Sequence, residues 1–164
     1  MIKSIFINSR IKKNLQPREH DTYLNAERIG ILYNADEFNQ TMIEEAQQAL
    51  ELDRKFVSKL GFTNIIPKEP NKLAESEFTR KDISVTGSIK KDDVARFIKK
   101  PFDFLLALDS SANINFKHVL ASSKAICKIG FQTEEYQNLL VMSLKLSDDK
   151  PKAVKDLISY LKKI

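Results

Sequence analysis

At 164 residues, with 42% hydrophobic and 30% charged side chains, the chain has the size and balance of one soluble domain with its own core, which excludes fibrous and disordered classes. No apolar run approaches the roughly 18 residues of a membrane span, and MIKSIFINSRIKK is too broken by polar residues to serve as a secretory signal. The net charge is +5, and the lone Cys127 cannot form an internal disulfide, so a reducing cytoplasm is the expected location.

Residues 1–27 read as a basic N-terminal arm or a packed helix, with a short helical stretch near Ile2–Ile11. RIGILYN (28–34) is β-rich and predicts a strand. After it, Asp36 is placed to cap a long helix whose stripe runs Phe38, Met42, Ala46, Leu50, Val57 and Leu60, with Gly61 as its stop. NIIP (64–67) and ISVTG (83–87) are two further short strands. Val94, Phe97 and Ile98 make one face of a helix that ends before Pro101.

FDFLLAL (102–108) is nearly continuous in its hydrophobicity, the pattern of a strand covered on both faces. Asn113 or Asn115 caps the following helix, which shows Phe116, Val119, Leu120 and Ser123 on one face. AICKIGF (125–131) is the next strand, and QNLLVMSLKL (137–146) predicts another near a sheet edge. Pro151 opens a last helix striped by Val154, Leu157, Ile158 and Leu161. The alternation predicts an α/β fold: a three-layer open, mostly parallel sheet, flavodoxin-like or Rossmann-like, with helices on both faces and a single domain over 28–164.

In such a sheet a ligand sits beyond the carboxyl ends of the strands. That rule nominates Asn34, Thr86, Asp109, Ser110 and Ser111 as ligand-binding residues. A carboxylate with two hydroxyls suits a sugar or ribose, although Asp and Ser also favour plain turns. A phosphate cradle requires closely spaced glycines, and the four present (Gly30, Gly61, Gly87, Gly130) form no such pair. Asp36 and Glu37 would also oppose a phosphate at the first helix. His20 and His118 lack metal-ligand spacing, so no metal and no cofactor is expected. His118, beside Lys117, is expected to face solvent, and Cys127 to be a small core residue. No nucleophile has a base nominated beside it, so no catalytic residue is assigned.

The charge is uneven. Residues 1–20 hold Lys3, Arg10, Lys12, Lys13 and Arg18 against Glu19; residues 150–164 hold Lys150, Lys152, Lys155, Lys162 and Lys163 against Asp156. Each end is therefore +4 and the middle −3. Were the ends to meet, Lys3, Arg10, Lys12, Lys13, Lys162 and Lys163 would form one basic patch for a protein or anionic partner.

EFTRKDISVTG, KPFDFLLALD and VLASSKAICKIGF together resemble an uncharacterised domain-of-unknown-function family of Bacteroidota bacteria, over about residues 28–164. More loosely, a buried strand, a helix and then IGF is similar to the N-terminal half of heptosyltransferase-like glycosyltransferases. In those enzymes the donor is held largely by a second domain that this chain is too short to contain. These readings imply a non-catalytic binding or interaction module. A degenerate glycosyltransferase-like or nucleotide-handling enzyme, and an RNA- or ribosome-associated protein using the basic termini, are the alternatives.

Overall fold

The structure is a computed structural model and describes residues 2–14, 22–69, 73 and 76–164. Within them, α1 (Ile2–Asn14) precedes β1 (Arg28–Asn34), α2 (Gln40–Glu51), β2 (Phe56–Phe62) and β3 (Glu77–Phe78). Then come α3 (Asp92–Lys99), β4 (Phe104–Leu108), α4 (Ile114–Ser122), β5 (Cys127–Phe131), β6 (Met142–Leu144) and α5 (Lys150–Leu161). The strands form one sheet in the order β3-β2-β1-β4-β5-β6, and every pairing is parallel. The expected mostly parallel sheet is thus parallel throughout the described residues.

β4 and β5 are buried at all five positions, and β1 at all but Arg28. Alternate residues of one strand feed opposite cores. Leu32, Leu105 and Ala107 pack with Ile7 and Ile11 of α1, Phe97 of α3 and Phe116 of α4. Ile31, Leu106 and Ile129 pack with Ile43 and Leu50 of α2 and Leu157 of α5. Helices α1, α3 and α4 therefore cover one face, and α2 and α5 the other. Cys127 belongs to the second core, where burial raises its thiol to about 11.

The long helix expected after β1 is two elements. α2 ends at Glu51, and Val57, Leu60 and Gly61 lie in β2. The stop is Arg54, at φ 61, with Lys55 N–H donating to Leu50 C=O at 3.3 Å. A left-handed residue just past the helix is ordinarily glycine, and the arginine there hid the boundary. Arg54→Gly is therefore expected to raise stability by about 0.5–1 kcal/mol, read as a higher denaturant midpoint with unchanged slope.

Asp36 is not the helix cap; Asn39 is, accepting from Met42 N–H at 3.0 Å. Residues 64–67 and 83–87 are not strands, apart from a single Ile83–Ile89 bridge. A two-residue strand at Glu77–Phe78 sits beside β2 instead. Residues 137–146 contribute only Met142–Leu144 to the sheet edge.

Candidate functional site

The strand order reverses between β1 and β4, where Tyr33 lies beside Leu108. A doubly wound sheet opens its ligand crevice at such a point. Asn34 and Asp109 leave these strands side by side, 1% and 0% exposed. Such polar groups are tolerated in the interior only when hydrogen-bonded. Asn34 Nδ2 donates to Asp109 Oδ1 at 2.7 Å, and Ser111 Oγ donates to the same oxygen at 2.7 Å. Asp109 Oδ2 accepts from Ala112 N–H at 2.9 Å and from the Tyr136 hydroxyl. Tyr136 arrives from the 3₁₀ turn Glu134–Tyr136 after β5. Burial first, then the Asp109 charge and hydrogen bond, hold its phenol protonated far above the ordinary range.

A second carboxylate closes the mouth. Glu37, in the turn after β1, accepts from Ser110 Oγ at 2.5 Å and from Ser110 N–H at 3.2 Å. It also takes Asn34 Nδ2 at 3.1 Å, with Lys150 Nζ of α5 4.0 Å away. Asp36 ties the same turn to the end of β2, accepting from Thr63 Oγ1 at 2.5 Å and Asn64 N–H at 2.8 Å. Asn113 Nδ2 reaches Asn64 Oδ1 at 3.2 Å. The loops after β1, β2 and β4 are thus laced together. The Ser110 amide and hydroxyl, the donors an incoming anion or sugar would use, already serve Glu37.

Of the five nominated ligand residues, then, Asn34, Asp109, Ser110 and Ser111 converge. Thr86 stands apart, in a turn between Ile83 and Ile89 on the α1 face. Its C=O accepts from Arg10 Nε at 2.9 Å, and its hydroxyl lies 3.0 Å from Ser84 Oγ. The adjacent Gly87 has φ +82, and a Cβ there would stand 2.9 Å from Arg10 Cδ. Glu37 and Tyr136 went unnominated. The ADEF turn signalled a carboxylate at the mouth, but nothing in EEY marked a buried phenol.

The two basic ends do not share a surface, since α1 and α5 pack on opposite faces of the sheet. Lys3 Nζ donates to Arg80 C=O at 2.7 Å, and burial followed by Lys90 and Arg80 lowers its pKa. Lys162 pairs with Asp53 at 2.7 Å, and Lys163 is exposed nearby in sequence at the chain end. The backbones of Lys12 and Lys13 continue α1, while their side chains lie outside the described residues.

His118 does not face solvent as expected. It is 2% exposed, with Nε2 2.7 Å from Gly87 C=O and Nδ1 unpartnered. Burial, opposed by the Gly87 bond and aided by Arg10 and Lys3, lowers its pKa below the ordinary 6.5. The unfolded chain therefore binds the proton more readily, and stability falls as pH drops through about 6.5 toward the folded value. Urea unfolding between pH 7.5 and 5 is expected to show a smaller pH slope for His118→Gln than for the natural chain; equal slopes would refute this.

Among the described residues, no group of three or more His, Cys, Asp or Glu is placed to hold a metal ion. No helix among them is long and apolar enough to cross a membrane. A model of the family of unknown function DUF6913 matches residues 3–164. No curated protein matches the chain.

Proposed function

The chain belongs to DUF6913, a family of unknown function, and from that premise we propose that it is a non-catalytic binding module acting in the cytoplasm. The observation that carries this reading is the self-occupied crevice. Asn34, Asp109, Ser110 and Ser111 spend their hydrogen bonds on each other, Glu37, Tyr136 and the Ala112 amide. A ligand entering there would have to replace these bonds and expel a carboxylate, at a cost of about 1–3 kcal/mol for each buried group left unpaired. The α1 side, where Lys3 and Arg10 are held by backbone carbonyls, is the contact surface of the module.

A thermal-shift series with nucleotides and nucleotide-sugars tests this against the enzyme that the glycosyltransferase resemblance implies. Saturating a real site at 100 times its Kd would add about 2.7 kcal/mol, a plain rise in Tm. No saturable rise is expected. Dose-dependent stabilisation that Ser110→Ala abolishes would overturn the reading.

A further inference from the structure

Helix α1 is apolar on two opposite sides. Ile7 and Ile11 are buried against the body. Ile2, Ile5 and Phe6, at helical spacing on the other side, are 64%, 62% and 46% exposed. A surface helix ordinarily turns polar groups outward, so among the described residues this outer ridge lacks the partner its composition calls for.

Cations flank the ridge. Lys3 and Arg10 belong to α1 itself, and each is fixed by a carbonyl, of Arg80 and Thr86 respectively. Arg80 and Lys90 stand close enough to Lys3 for their charges to act on its ammonium. Among the described residues, none of these four forms an ion pair with a carboxylate. A cluster of cations attracts an anionic surface from solution.

Taking α1 as the contact surface argued above, we propose that this face docks on an anionic lipid bilayer. Ile2, Ile5 and Phe6 enter the boundary between headgroups and acyl chains, and Lys3, Arg10, Arg80 and Lys90 meet the lipid phosphates. Nucleic acid would satisfy the cations while leaving two isoleucines in water. A protein partner would need a groove shaped to a convex helix, whereas a fluid bilayer yields to one. At 13 residues α1 is shorter than the roughly 20 a span requires, so the helix lies in the interface.

The chain contains no tryptophan, so Phe6→Trp in the full chain gives a single reporter at the ridge. With phosphatidylglycerol vesicles at low salt, its emission is expected to move to shorter wavelength as the protein co-sediments. Both effects should weaken at high salt, and phosphatidylcholine vesicles should produce neither. Each cation near such a surface contributes about fivefold in affinity, so Arg80→Glu with Lys90→Glu is expected to weaken binding by about 25-fold or more. Their side chains are exposed, and circular dichroism would verify that the double variant folds.

Three results would overturn the proposal: no vesicle binding at low salt, co-sedimentation without an emission shift, or equal binding to phosphatidylcholine. An emission shift with RNA but not with vesicles would overturn it as well. None of these outcomes bears on the nucleotide thermal-shift series, so the closed crevice and the lipid surface fail independently.

Discussion

Asp109→Ala is expected to lower folding stability by about 3 kcal/mol or more, measured as a fall in the urea midpoint. The substitution strands the Ala112 N–H and the Tyr136 hydroxyl, removes the acceptor of the Ser111 hydroxyl, and leaves the Asn34 amide with its weaker bonds to Glu37 and Ser111. Tyr136 is 1% exposed, so its hydroxyl has no water as an alternative partner. Tyr136→Phe removes only one donor, and about 1.5–3 kcal/mol is the expected loss for a bond to a charged group. Ser110→Ala lies at the exposed mouth and should cost under about 1 kcal/mol. If all three cost the same, the network does not hold the crevice as described.

The second large effect is at Gly130, one residue before the end of β5. A Cβ there would stand 2.6 Å from Ala107 C=O and 3.1 Å from Ala107 Cβ. The obstacle is backbone of the neighbouring strand, which cannot swing aside as a side chain would. Gly130→Ala is expected to cost about 3 kcal/mol by driving β4 and β5 apart. It should also loosen the lock, because Asp109 follows β4 and Tyr136 follows β5. Glycine here is set by close approach between strands, not by a positive φ.

The fold was legible where hydrophobic pattern and burial agree. FDFLLAL is nearly continuous in its hydrophobicity and AICKIGF is broken only by Lys128, and the strands within them, β4 and β5, are covered on two faces. The α5 stripe held for the same reason. Legibility failed where one residue broke a local rule. Arg54 takes the place of a glycine at the end of α2, so the periodicity ran on through β2. NIIP has β-branched residues but no sheet neighbour, and propensity without pairing does not make a strand.

At the crevice, four of five nominated residues came together because sequence position after a strand fixes their height in the sheet. What they do there was not readable. Whether Asp109 is a ligand group or an internal acceptor depends on Tyr136, 27 residues away, and on Glu37, 73 residues from Ser110. Thr86 was misplaced because its segment is a turn clamped by Arg10, not a strand leading to the crevice.

The most direct test of the closed crevice is an amide-resolved NMR titration of the chain with nucleotides and nucleotide-sugars at millimolar concentration. The Asn34 side-chain amide and the Ala112 N–H should exchange slowly with solvent, and signals from Asn34, Ser110, Ser111 and Ala112 should not move across the series. Saturable shifts at those residues, or exchange at the rate of an open loop, would contradict the account.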